Sequence, residues 1–271
     1  MLILAAALGS LIGMVLGLTG AGGGILAVPA LTLVLGWSMT QSAPVALLAV
    51  GAAAAVGAMS AHKKGLVRYR AAMLISICGM LVAPLGQHWA HLLPERWLTL
   101  IFSSVMIVVA VRLWHSVSAH TLSDDGVDTD LLRPRRIKVK TGRIVWNRTS
   151  FTTLSLIGVL TGLTTGLLGV GGGFIIVPAL LRCSNITLDG IVATSLMVIA
   201  LISSGAVISA WTGGHIDPSA TAGLFIGGAM LGMLLGRLLT EHLPKQAVLR
   251  MLSVLIVVVS LAMLYSKVFV A

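Results

Sequence analysis

The stretch GLTGAGGGILAVPAL at residues 17–31 returns as GLLGVGGGFIIVPAL at residues 166–180. Ten of the fifteen residues are identical, at a constant offset of 149. The match extends backward, so that residues 9–31 share 13 identities in 23 positions with their counterparts. Shared apolar composition alone does not produce so many identities. The sequence therefore predicts a duplicated unit, with the same glycine run before Val-Pro-Ala-Leu in each copy.

The composition predicts a protein that is embedded in lipid. Hydrophobic residues make up 57% of the 271 residues, charged residues only 10%, and the mean hydropathy is +1.04. A soluble domain of this length could not bury so much apolar surface. Eight apolar runs are long enough to span a bilayer, at about 20 residues each. They lie near 2–19, 43–61, 71–90, 97–114, 151–168, 190–210, 219–239 and 247–266.

Two shorter apolar segments, at 25–36 and 174–182, follow the glycine runs. At ~1.5 Å per residue the longer one reaches only ~18 Å, well short of the ~30 Å hydrocarbon core. Both are therefore expected to be half-helices. The predicted fold class is an all-α polytopic membrane protein of two homologous repeats, each with about four spanning helices and a glycine-broken half-helix.

The predicted boundaries follow from charge. Residues 1–114 form the first membrane repeat, 115–150 a charged connector, and 151–271 the second repeat. The net charge of +10 comes from basic residues in the loops, so it indicates topology rather than nucleic-acid binding.

The repeats could be parallel or inverted, depending on whether each half-helix counts as a pass. The positive-inside rule places the basic loop at 62–70 and the basic connector in the cytoplasm. Inversion puts the loop at 211–218, which has no Lys or Arg, outside, and the loop at 237–250, which has three, inside. The charges therefore favour inverted repeats with both termini outside.

The paired breaks are the strongest pointer to function. Unpaired backbone groups are costly in lipid, so a broken helix is tolerated only where it lines a cavity or is buried in protein. Glycine lets a ligand reach the backbone, and a half-helix beginning near Ile25 or Phe174 would offer free N–H groups. Two such N-termini would bind an anion without a buried Lys or Arg. Pro29 and Pro178 are expected in the first turn or so of the half-helices, where a missing N–H costs least.

Other roles compete with ligand binding. Glycines spaced by four, such as Gly9, Gly13 and Gly17, favour close helix packing. Hydroxyl groups near the breaks could donate to an anion or bond to carbonyls of their own helix. No set of side chains has catalytic or metal-ligand spacing, so we predict no catalytic residue, cofactor or metal.

The doubled motif G-x-x-G-x-G-G-G-hydrophobic-x-x-V-P-A-L and the basic central loop resemble the TauE/SafE family of bacterial sulfite exporters, over essentially the whole chain. The resemblance implies an inner-membrane transporter of small sulfur-containing anions. The Ala-Thr-Ser-Leu that often follows the motif in that family is intact at 193–196. The aligned residues of the first half, at 46–49, lack the hydroxyls. If those hydroxyls touch substrate, the site is asymmetric or the ligand differs from the family's usual one.

We therefore expect a secondary transporter of sulfite, sulfonates or related anions, most simply an exporter working by alternating access. The alternatives are anion uptake coupled to a cation, or a non-transporting membrane enzyme or assembly protein. The expected partners are a small anion and the lipid bilayer, and the sequence leaves a homo-oligomer open. The predicted substrate-binding residues are Thr19, Gly20, Gly22, Gly23, Gly24, Ile25, Gly169, Gly171, Gly172, Gly173, Phe174, Thr194 and Ser195.

Overall fold

The structure is a computed structural model, which describes residues 2–20, 22–121, 139–140, 143–144, 148–183, 188–212, 220–240 and 245–269. The described part contains ten helices and two short strands. The helices are α1 Leu2–Thr19, α2 Gly22–Val34, α3 Met39–Lys63, α4 Tyr69–Leu92, α5 Glu95–Thr121, α6 Arg148–Leu168, α7 Gly173–Cys183, α8 Leu188–Thr212, α9 Ala220–Leu239 and α10 Lys245–Phe269. Strands β1 Val139–Lys140 and β2 Arg143–Ile144 pair antiparallel.

Eight of these helices are long and apolar enough to cross a membrane, and they match the eight predicted runs. Their outer surfaces are apolar too, since Ile3, Leu81 and Met251 expose 87%, 73% and 77% of their area. Such large exposed side chains would be costly in water and are stable in lipid. The prediction of an all-α polytopic membrane protein is confirmed.

Helices α2 and α7 are the two half-helices. Their 13 and 11 residues reach about 20 Å and 16 Å, too short to cross the hydrocarbon core. The predicted start of the first was wrong, because α2 begins at Gly22 and includes the glycine triplet as its first turn. The expected place of the prolines was also wrong. Pro29 is the eighth residue of α2 and Pro178 the sixth of α7, and they leave the carbonyls of Ile25 and Phe174 without a helical partner.

Both boundaries of the predicted connector lie inside helices, since α6 already begins at Arg148. α5 continues to Thr121, seven residues beyond the predicted end of the first repeat at 114. Residues 122–138, 141–142 and 145–147 of the connector lie outside the described residues. The division into two repeats and a connector stays a prediction.

Glycine stripes hold the bundle together. α1 packs on α9 and α4 packs on α6. A Cβ added at Gly13 would lie 2.9 Å from Ala229 Cα, and one at Gly162 would lie 2.6 Å from Gly79 Cα. These backbones touch without intervening side chains, as in membrane small-xxx-small contacts. The predicted packing role of the spaced glycines is confirmed.

The direction of each helix follows from contacts at its two ends. α1 and α9 run parallel, because Gly9 contacts Ala229 while Gly17 contacts Gly236. α4 and α6 also run parallel, with Ile75 against Gly158 and Ala83 against Gly166.

Helices α4 and α8 run parallel as well. The Arg68 N–H, just before α4, donates to Thr194 Oγ1 (3.2 Å), and Gln87 Nε2 donates to the Ala206 carbonyl (2.9 Å). Ser195, near the start of α8, donates to the Gly20 carbonyl (3.1 Å), and Thr240, just after α9, donates to the Gly17 carbonyl (3.4 Å). The start of α8 and the end of α9 therefore meet the same end of α1, so α8 and α9 run in opposite directions.

The equivalent helices α4 and α9 therefore run in opposite directions, and so do α1 and α6. A half-turn about an axis in the membrane plane would give this arrangement. The inverted duplication stays a prediction, which this geometry supports.

The stripe contacts can be tested within one helix. Gly232→Ala would press a methyl group on Ser10, whose Cα lies 2.8 Å from the Cβ position. We expect a loss of about 1–3 kcal/mol, as for overpacked cores. Gly227→Ala is the matched control, because nothing lies within 4 Å of its Cβ position. Thermal unfolding in detergent should show a lower Tm for G232A only; equal Tm values would contradict close packing.

Candidate functional site

The two glycine breaks meet inside the bundle. A Cβ added at Gly24, in the first turn of α2, would lie 2.7 Å from the Val170 carbonyl oxygen in the second break. Gly20 and Gly169 occupy equivalent places and have left-handed φ angles of 73° and 72°. Only glycine adopts this conformation readily, so the backbone turns at the same point after α1 and after α6.

The second break exposes a run of backbone donors. Gly171 and Gly172 also have left-handed φ angles, of 73° and 64°. Within the described chain, the N–H groups of residues 171–174 form no hydrogen bond. Helical bonding resumes where the N–H groups of Ile175 and Ile176 reach the Gly172 carbonyl. A left-handed glycine before a helical start gathers successive N–H groups into a concave anion-binding surface.

The predicted site residues contribute through their backbones. Ile25 and Phe174 are 1% and 3% exposed and belong to the hydrophobic core, so their side chains face other apolar residues. Gly23 and Gly172 are packed against α1 and α6, where a Cβ would approach Leu16 N and Thr165 Oγ1 to 2.5 Å and 2.7 Å. What these positions offer to a ligand is peptide N–H.

The hydroxyls predicted to bind substrate are already engaged. Thr19 Oγ1 donates to the Val15 carbonyl (2.8 Å), and Thr194 Oγ1 donates to the Gly190 carbonyl (2.6 Å). Ser195 Oγ reaches the Val192 carbonyl (2.9 Å) and the Gly20 carbonyl (3.1 Å). In this conformation the hydroxyls therefore have the competing role: they bond to helix carbonyls rather than to a ligand. Ser195 also holds the first break, because Gly20 is its turning residue.

The alignment of the two halves needs a correction. Gly20 contacts Val192 and Gly169 contacts Ala43, and these partners are again 149 residues apart. The counterparts of residues 193–196 are thus residues 44–47 rather than 46–49, and Thr194 and Ser195 correspond to Val45 and Ala46. The predicted lack of hydroxyls in the first half holds with the corrected alignment.

Two polar side chains beside the second break escaped the sequence analysis. Thr161 on α6 and Ser203 on α8 are 0% and 1% exposed, and neither hydroxyl has a hydrogen-bond partner. A Cβ at Gly171 would lie 3.4 Å from Ser203 Oγ; one at Gly172 would meet the Thr161 methyl carbon Cγ2 first and would lie 3.0 Å from the Thr161 carbonyl oxygen. Spacing could have found them, since Thr161 lies one turn before Thr165 and Ser203 two turns after Ser195.

A cavity of about 360 Å³ lies between α3, the start of α4 and α8. His62 and Tyr69, joined by a side-chain hydrogen bond, line one part of it, and Ala200 lines another. Ala200 is one helical turn from Ser203, and its neighbour Ile199 lies at Gly171. The cavity therefore extends from the basic segment at 62–70 to within one turn of the second break.

The described residues contain no group of three His, Cys, Asp or Glu side chains placed to hold a metal ion. The contacts of both breaks are backbone groups, apolar side chains and hydroxyls. Such a site can bind a negative solute only through dipoles and hydrogen bonds.

Comparison with known proteins decides the family. The sequence model of the family described as "Sulfite exporter TauE/SafE" matches residues 5–263, nearly the whole chain. The chain belongs to the TauE/SafE family. The family resemblance inferred from the doubled motif is confirmed. The chain is therefore a multi-pass membrane transporter.

Two curated relatives from Xylella fastidiosa agree with this assignment. A protein of strain 9a5c is 30% identical over 194 residues, covering 70% of this chain and 67% of the relative. A protein of strain Temecula1 / ATCC 700964 is 28% identical over 267 residues, covering 95% and 92%. Each is named "Probable membrane transporter protein". No solved structure matches the chain significantly.

The role of Ser195 at the first break of this TauE/SafE protein can be tested directly. Ser195→Ala removes the bond to the Gly20 carbonyl and leaves a buried acceptor without its partner. We expect a loss of about 1–3 kcal/mol, the usual cost of an unsatisfied buried group. Ser204→Ala is the control, because Ser204 is exposed and bonds only within α8. Thermal unfolding should give a lower Tm for S195A than for S204A. Equal Tm values would show that the bond from Ser195 to the Gly20 carbonyl does not stabilise the first break.

Proposed function

We propose that this TauE/SafE protein exports a small sulfur-containing anion, such as sulfite or a sulfonate, across the bacterial inner membrane. Substrate would bind at the glycine breaks, which become accessible from alternate sides. The observation that carries the proposal is the run of four unpaired N–H groups at residues 171–174, buried in the middle of a membrane bundle. Unpaired donors at membrane depth are costly unless a ligand satisfies them.

The electrostatics suit an anion. The N-terminus of a helix carries roughly +0.5 elementary charge, and its free N–H groups point at the ligand. The N-termini of α2 and α7 both lie at the breaks, which contact each other through Gly24 and Val170. Each hydrogen bond to a charged acceptor contributes about 1.5–3 kcal/mol. Several such bonds can offset the cost of removing a small anion from water without a buried Lys or Arg.

The cavity supports access from the cytoplasm. It lies beside Lys63, Lys64 and Arg70, three exposed basic residues around the end of α3 and the start of α4. The positive-inside rule places such residues on the cytoplasmic side, where they also attract anions. A path from this cavity to the second break would let the anion enter from the cytoplasm.

Export has a physical driving force. With the cell interior negative, each net negative charge that leaves gains about 2.3 kcal/mol per 100 mV. An exporter can therefore work without a coupling ion, whereas uptake needs a coupled cation. Direction and coupling are thus tested by the response of flux to voltage and pH.

Electrogenic transport can be measured in proteoliposomes under an imposed potential. We expect saturable sulfite flux that accelerates when the potential pulls the anion and slows when it is reversed. Liposomes without protein set the baseline. Flux that ignores voltage and depends strongly on pH would contradict simple electrogenic export, and flux that requires a cation gradient would favour coupled uptake.

Access through the cavity can be mapped with a cysteine probe. In a chain with both natural cysteines replaced (C78A and C183A), Ala200→Cys should react with a membrane-impermeant maleimide in inside-out vesicles and not in right-side-out vesicles. Ala206→Cys is the control, because Ala206 lies on the same helix and is 0% exposed. Protection of A200C by sulfite is also expected. Labelling only in right-side-out vesicles would place the cavity on the external side of the membrane and contradict access from the cytoplasm.

A further inference from the structure

We infer that the anion binds at the second break alone, and that the hydroxyls of Thr161 and Ser203 complete its binding site. The first break serves as packed structure. This inference rests on the proposed function and specifies its site. The two breaks are related by sequence, yet three independent features make them unequal.

The backbone is the first difference. After its turn at Gly169 the second break has two more left-handed glycines, Gly171 and Gly172, and α7 starts only at Gly173. After Gly20 the first break has no other left-handed glycine among the described residues, and α2 starts at Gly22. The second break is thus the longer interruption of helical geometry, and its left-handed glycines gather successive N–H groups at one place.

The hydroxyls are the second difference. With the offset of 149, Thr161 corresponds to Ile12 and Ser203 to Ala54. Gly23 meets the Ile12 carbonyl as Gly172 meets the Thr161 carbonyl, and Gly172 also meets the Thr161 methyl group. The first break therefore has apolar residues, Ile12 and Ala54, where the second break has unpartnered hydroxyls. This gives the two breaks different chemistry.

The third difference is the bonding state of the hydroxyls. A helical Thr or Ser normally donates to a carbonyl of its own helix, as Thr164, Thr165 and Ser195 do here. Thr161 and Ser203 are buried and do not. Other buried hydroxyls lack partners too, for example those of Ser76 and Ser103. Thr161 and Ser203 differ from these because they lie against glycines whose N–H groups are also free.

The donors suggest the class of ligand. Four N–H groups and two hydroxyls at the second break have no hydrogen-bond partner, so up to six donors are available to a ligand there. A headgroup with three equivalent oxygens, each accepting two hydrogen bonds, uses all of them. The sulfur–oxygen headgroup of sulfite or of a sulfonate fits this pattern, whereas a halide has no separate oxygens to distribute among the donors. We therefore expect selectivity for an oxyanion over chloride.

The test uses the purified full chain in detergent, with sodium sulfite and sodium methanesulfonate as probes and sodium chloride at equal ionic strength. Thr161→Val and Ser203→Ala should each weaken oxyanion binding about tenfold, measured by calorimetry. Thr161→Ser keeps the hydroxyl and should bind within about threefold of the natural chain. Ser76→Ala removes an unpartnered hydroxyl on α4 that is not part of the proposed site and should bind normally.

Two further readouts separate binding from folding and from the proposed function. Without anion, T161V and S203A should unfold at or above the natural Tm, because each removes an unsatisfied group. The stoichiometry should be one anion per chain. Normal binding by both variants, or two anions per chain, overturns this inference and leaves the proposed function standing. A natural chain that neither binds nor transports any oxyanion overturns the proposed function itself.

Discussion

The whole arrangement depends on the demand that lipid makes of the peptide backbone. Each N–H or C=O group left unpaired in the hydrocarbon core costs several kcal/mol, so a membrane chain cannot interrupt a helix without a partner for the freed groups. This chain interrupts two helices and places both interruptions in the protein interior, against each other and against α3 and α8. The eight spanning helices surround the two breaks and so keep the freed backbone groups out of the lipid.

The close packing of these spanning helices depends on glycine, which has no side chain. Four helix backbones approach closely because glycine or alanine occupies each crossing, as Gly232 does against Ser10. Lipid supplies no hydrophobic force between apolar helices, so van der Waals contact between close backbones must hold them together. The glycines of the stripes and those that turn the breaks serve separate purposes, since the former are helical and the latter left-handed.

Much of this fold could be predicted from the sequence, because length and hydropathy decide which segments span a bilayer. Spacing by four also identified the packing glycines. Local detail failed where tertiary contacts decide. Gly22 belongs to a helix because α2 packs on α1 from its first turn, and α5 continues to Thr121 through a stretch whose polarity suggested a connector. Thr161 and Ser203 escaped because most helical hydroxyls bond to their own helix, and the sequence does not reveal which ones fail to do so.

The glycine stripes also constrain how the molecule can change shape. Each tightly packed pair, α1 with α9 and α4 with α6, joins a helix of the predicted first repeat to a helix of the predicted second repeat. These close backbone contacts hold the two predicted repeats together, so neither can move as a separate rigid half. The rigid bodies are instead the two helix pairs, and α3, which packs on α9, and α8, which packs on α4, contact each other in the layer between them. Shear of the two pairs along that central layer is the motion to which this architecture is suited.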